Sequence, residues 1–198
     1  MAADIVRMLQ KKKKQILEDW MNSQLADAGL REDLMSNEEL HEQSEELLDV
    51  LLKTLNDKNI TDSDSESFEP VHEILSGISI TRARQGFSPK ETGFYVFSLK
   101  DALLKTLQTE LKSDPNALID GFYKVNKLMD SLGIVTFETF IKGREEVILR
   151  QTDEITEIST PVIQVWEGIL ALPIIGTLDS ARTQVVMENL LQEIVETG

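Results

Sequence analysis

Two histidines, His41 and His72, and no cysteine stand among the 198 residues, which narrows the chemistry open to this chain. Without thiols there are no disulfides, thiolate metal sites or cysteine nucleophiles. His72 shares a helical stretch with Glu69 and Glu73, and an imidazole between carboxylates can be drawn as a metal site. A surface histidine among acids is the commoner situation, and neither histidine keeps ligand spacing to a second strong ligand. Asp62 and Asp64 alternate with serine as in a calcium loop, but the central glycine and closing glutamate are absent. No nucleophile elbow supports serine chemistry, and no Gly-rich loop offers a phosphate cradle. These residues point to neither an enzyme, a metal nor a cofactor.

The charge balance excludes further classes. A net charge of −15 argues against nucleic acid, whose phosphates require a basic face, and against an anionic membrane surface. Lys11 to Lys14 form a basic run, read here as one solvated helix face on an acidic protein. Hydrophobic residues make up 41% and charged residues 28%, enough apolar material for one sizeable core. The first residues lack the apolar run of a signal peptide, and no stretch nears the length of a membrane span. A cytoplasmic protein is expected.

The elements that must position any site are helical through the first 133 residues. Ile5, Met8, Leu9, Ile16, Leu17, Trp20 and Met21 recur near helical spacing. Ser36 with Glu39 has capping-box spacing, and Leu40, Leu47, Leu48, Leu51 and Leu52 follow as a stripe. Residues 56–67 (NDKNITDSDSES) read as a polar surface loop, partly disordered. A third helix carries Val71, Ile74, Leu75 and Ile78 and stops near Gly86. Ser88, Pro89 and Glu91 announce the next, and Asp114-Pro115 another, with Leu118, Phe122, Val125 and Leu128 on its buried side. No segment alternates with period two, so an all-α head is expected.

Residues 134–160 change pattern. Ile141, Ile148 and Ile155 repeat every seven residues, and Phe137, Arg144, Gln151 and Ile158 form a second track offset by three. A repeat of seven keeps a seam facing a partner helix only if the two supercoil. A homodimeric signalling helix is the favoured reading; a helix packed on its own domain is the other. After Pro161, Val162 to Val165 and Ile169 to Ile175 are β-branched runs around Glu167-Gly168, a hairpin turn. A last helix follows, with Val185, Val186, Leu190, Leu191 and Ile194 apolar.

Two stretches carry a resemblance. Residues 84–104 (RQGFSPKETGFYVFSLKDALL) resemble the signature of the N-terminal domain of RsbR-type stressosome proteins, the RsbT co-antagonist domain. Residues 159–191 (STPVIQVWEGILALPIIGTLDSARTQVVMENLL) are similar to the entry of the RsbR-type STAS domain. The resemblance implies a mainly α protein in three parts. A globin-like sensor domain would fill residues 1–133 and a linker helix residues 134–160. An incomplete α/β STAS segment of two strands and one helix would fill residues 161–198.

It further implies a non-catalytic scaffold that dimerises and assembles with an RsbS-type STAS protein. That scaffold captures an RsbT-type serine/threonine kinase and is phosphorylated by it, to control a sigma factor or second-messenger pathway. The family's phosphorylated position falls on Ser180, with Thr177 its neighbour. A hydroxyl at a helix N-terminus would become a dianion facing free N–H groups, and Asp179 beside it would repel the new charge. Plain N-capping by Ser180 or Asp179 is the competing and compatible role. The alternative function is a ligand- or haem-binding globin-type sensor, with His72 as proximal ligand. Trp20, Phe94, Tyr95, Phe97, Phe122 and Tyr123 would line its pocket, although aromatics at helical spacing are more often plain core.

Overall fold

Start signals in the sequence become helix starts in the structure. The computed structural model describes residues 5–26, 33–158, 162–174, 177–178 and 180–197. Helices α1 (Ile5–Lys11) and α2 (Lys13–Ala26) are separated only at Lys12, inside the lysine run. Helix α3 (Asn37–Thr54) is capped by Ser36, whose Oγ accepts from Glu39 N–H at 3.2 Å. Helix α4 (Glu69–Gln85) ends at Gly86, held at φ +96°, a left-handed cap that costs glycine nothing. Helix α5 (Pro89–Glu110) has the full reciprocal box. Glu91 N–H donates to Ser88 Oγ at 3.2 Å, and Ser88 N–H donates to Glu91 Oε2 at 2.6 Å.

Residues 56–67 are ordered, not frayed, which corrects the expectation of a partly disordered loop. Asn59 Nδ2 donates to Thr54 O at 2.9 Å and to Ser67 Oγ at 3.1 Å. Ser63 Oγ donates to Ser131 Oγ at 2.7 Å, and Ile60 is fully buried. Polar composition concealed one apolar anchor and two amide side chains that satisfy the turn internally. A one-turn 3-10 helix, Glu66–Phe68, leads into α4.

Helix α6 (Pro115–Ile158) is 44 residues long and continues without a break across residue 134. The chain divides into two compact units, Met1–Arg144 and Glu145–Gly198. In the first, α2 packs on α3 and α5, and α3 on α4. Val125, Leu128, Met129 and Leu132 of α6 join the same core. Two glycines let α6 approach closely. A Cβ on Gly121 would stand 3.3 Å from Leu107, and one on Gly143 would stand 3.1 Å from the Ala83 Cβ.

The second unit holds the end of α6, an antiparallel hairpin of β1 (Ile163–Trp166) and β2 (Ile169–Ala171), and helix α7 (Ser180–Thr197). Ile163 pairs with Ala171, Gln164 with Leu170 and Trp166 with Ile169; the pairing is irregular between Gln164 and Trp166. Gly168 turns the hairpin at φ +73°. Ile163, Val165, Trp166, Leu191 and Ile194 stay exposed within this unit, as expected where a two-stranded hairpin is the whole sheet among the described residues. The protein is thus mainly α with a short two-stranded segment near its end, as anticipated.

Tyr95 lies at the centre of the first unit. Trp20 Nε1–H donates to Tyr95 O at 2.9 Å, and the two rings pack with centroids 4.8 Å apart. Burial pushes the Tyr95 phenol from 10.0 up to about 12, with nearby Ser44 and Arg82 pulling the other way. The neutral phenol is the form the fold prefers, so its contribution is complete below pH 10 and is lost as pH rises towards 12. Denaturant titrations across this window should show stability falling by about 2–3 kcal/mol. Tyr95→Phe should remove that part of the slope.

Candidate functional site

The isoleucine track of α6 remains open along its length. Ile141, Ile148 and Ile155 are 55%, 54% and 67% exposed. Ile134, one heptad earlier and not included in the sequence-derived seam, is 60% exposed. It extends the same seven-residue line, and that spacing was the signal available to find it. Lys142, Glu145, Glu146, Asp153 and Glu154 flank the line and are exposed. The side chain of Ile158, the last residue of α6, lies outside the described residues.

Phe137 occupies a different place from those isoleucines. It is half-buried, with its ring centroid 6.2 Å from that of Phe97 on α5. A Cβ on Gly93 would stand 2.6 Å from Phe137 Cζ, so the ring occupies the space that the glycine leaves. Its neighbour on the same track, Arg144, donates from Nη1 to Ala83 O at 3.4 Å. Phe137 and Arg144 of the half-polar track therefore meet α5 and α4 of their own unit, while Ile134 and Ile141 beside them stay exposed.

Ser180 opens α7 and is exposed, as is Thr177 three residues before it. Asp179, the other residue expected to cap this helix, lies outside the described residues. Arg182, in the first turn, donates from Nη1 to Thr177 O at 2.9 Å. A cationic side chain thus reaches the Thr177 backbone from the first turn, at a helix end that favours anions.

The histidines are not brought together. His41 lines a half-open cleft of about 520 Å³ between α2 and α3, with Lys14, Glu18 and Glu45 around a floor of Leu17 and Met21. His72 stands on α4 with its ring centroid 6.3 Å from that of Phe68, and its buried Nε2 has no hydrogen-bond partner. Among the described residues, no three His, Asp or Glu side chains group as a metal site, and no helix is long and apolar enough to cross a membrane. The six aromatics proposed as a pocket differ in burial, with Phe94 half-buried. Trp20 and Tyr95 are buried core, Phe97 and Tyr123 are exposed, and Phe122 is only partly buried.

Residues 14–155 match the family described as the RsbT co-antagonist protein rsbRD N-terminal domain. The chain belongs to that family. Its match takes in the whole of α3 to α5 and α6 as far as Ile155. The chain is also similar to three proteins of Bacillus subtilis (strain 168). To the RsbT co-antagonist protein RsbRA it is 22% identical over 195 residues, which is 97% of this chain and 66% of the relative. To RsbRC it is 32% identical over 74 residues, covering 37% of this chain and 26% of that protein. To RsbRD it is 25% identical over 85 residues, 41% of this chain and 31% of that protein. The chain thus spans just under two thirds of the length of RsbRA.

The Phe137 contact gives a direct check on α6. Gly93→Ala should destabilise the protein by about 1–3 kcal/mol, the usual penalty for overpacking. Phe137→Leu in the same chain should recover most of the loss, as read in a double-mutant cycle by chemical denaturation. An unchanged Gly93→Ala midpoint would show that α6 does not press on α5 there.

Proposed function

We propose that this chain is the sensing and relaying part of a non-catalytic RsbT co-antagonist that works in the stressosome. In this reading the helical head, residues 1–133, receives the signal, residues 134–160 pass it on, and residues 161–198 begin a STAS domain. Its partners are a second copy of itself, an RsbS-type STAS protein and an RsbT-type kinase, all in the cytoplasm. Capture and release of that kinase would control a downstream sigma-factor or second-messenger pathway. The observation that carries this reading is the open line of isoleucines at spacing seven on a helix unbroken from the head, within a chain of this family.

The physical argument for pairing is simple. Apolar side chains held half-exposed in a row gain by meeting an identical row, and charges on the flanks keep the helices in register. A rotation or shift of α6 in the head would then be felt along the whole seam, because a helix transmits displacement as one body. Ser180 is the phosphorylation site favoured here. A phosphoryl group transferred from ATP to its hydroxyl would give Arg182 a charged acceptor in place of the Thr177 carbonyl, and the loop would reorganise.

Two experiments test these statements separately. Analytical ultracentrifugation should find a dimer, and Ile148→Glu should weaken it about tenfold or more by placing a charge in the seam. A wild-type chain that stays monomeric at high micromolar concentration refutes the paired helix. Incubation with an RsbT-type kinase and ATP should add one phosphate, lost in Ser180→Ala and kept in Thr177→Ala. The reverse pattern would move the site to Thr177.

A further inference from the structure

Helix α4 buries Val71, Leu75, Ile78 and Arg82, positions that fall on one face at helical spacing. Arg82 is only 3% exposed. A guanidinium taken out of water normally has a carboxylate beside it. Among the described residues Arg82 has none in contact, and two rings stand there instead: its Cζ lies 4.2 Å from the Tyr95 centroid and 5.2 Å from that of Phe87. Aromatic faces attract the flat side of the cation, which leaves the N–H edge to be satisfied, and Nε has no hydrogen-bond partner. Glu91 attracts the cation at longer range, but its carboxylate already accepts from Ser88 N–H at 2.6 Å.

The groups around this cation are also donors without acceptors. The Tyr95 hydroxyl lies beside Ser44, yet neither oxygen closes a hydrogen bond of good geometry. Thr92, one turn before Tyr95 on α5, is buried with Oγ1 unpartnered. Tyr95 stays a neutral phenol at ordinary pH and offers no compensating charge. One fixed positive charge and several hydroxyls from α3, α4 and α5, with no anion among them, form the donor set of an oxyanion site.

We propose that the first unit binds a small oxyanion at Arg82, with the Ser44 and Tyr95 hydroxyls as further donors. Nothing in the co-antagonist reading requires this site. The orphaned atoms are sealed from solvent, so entry has to move the last turn of α4, which ends at the left-handed Gly86. That turn is also where α4 grips α6. Ala83, the residue after Arg82, stands against Gly143, and its carbonyl accepts from Arg144. Occupancy therefore re-seats α6, a consequence that rests on the relay reading, whereas binding itself does not.

The test uses the full 198-residue chain carrying Trp166→Phe, so that Trp20, packed on Tyr95, is the only indole. Its emission is followed during titration with sodium acetate and, separately, sodium phosphate, against sodium chloride at matched ionic strength. A saturable change with either oxyanion and none with chloride is expected, and the tighter of the two identifies the class as carboxylate or phosphate. Arg82→Met should weaken that midpoint about tenfold or more, and Tyr95→Phe should weaken it less. No saturable response to either salt, or an unchanged midpoint in Arg82→Met, overturns the site. If Arg82→Met does not fold by circular dichroism, Ser44→Ala and Tyr95→Phe decide in its place, and unchanged midpoints in both overturn it. Binding with no change in the sedimentation of a dimer refutes the coupling to α6 alone. A chain monomeric with and without the anion strikes at the relay reading and leaves the site standing.

Discussion

Tyr95 is the residue on which the first unit turns. Its carbonyl accepts from the Trp20 indole, its ring packs on that indole, and the Arg82 cation lies over the same ring. Helices α2, α4 and α5 are thereby fixed to one another through a single side chain and its peptide group. Next to it, Gln24 donates to Ser98 on α5, and Lys105 of α5 pairs with Asp19 of α2 at 2.6 Å, so further polar ties join the same two helices. Apolar packing alone tolerates sliding of helices, whereas a directed hydrogen bond at a buried position selects one register.

That fixed arrangement determines what α6 can do. It is held by the core through Val125, Leu128, Met129 and Leu132, and by close approaches at Gly121 and, past its middle, at Gly143. Phe137 over Gly93 extends the grip to the middle of the helix. The isoleucine line lies outside those contacts from its first member, Ile134, onwards. One helix therefore carries two faces: small residues and aromatics where the head is close, and branched aliphatics that stay open. Glycine serves the first because it admits a neighbouring backbone or ring within van der Waals distance.

How much of this was legible in the sequence differs by element. Helix starts at Ser36 and Ser88 could be read because a cap is a local interaction between residues three apart. The hairpin around Gly168 and the seven-residue isoleucine spacing were visible for the same reason. The order in residues 56–67 was not, since it depends on Ile60 finding the core and Ser63 finding Ser131, far along the chain. The burial of Arg82 depends on the rings of Tyr95 and Phe87, which lie outside its own helix. The place of Arg82 at the fourth position of a stripe shared with Val71, Leu75 and Ile78 was the available signal.

The sequence by itself determined the helical character of the head, its caps, the hairpin turn and the periodicity of α6, because each is encoded within a few turns of chain. Which track of α6 meets its own head was decided only in the tertiary structure. Phe137 and Arg144 share a heptad track with seam-like spacing, yet they pack on Gly93 and Ala83 while the isoleucines remain open. Periodicity states that two residues share a face. It does not state what that face touches, since contact depends on helices brought together from positions some fifty residues apart.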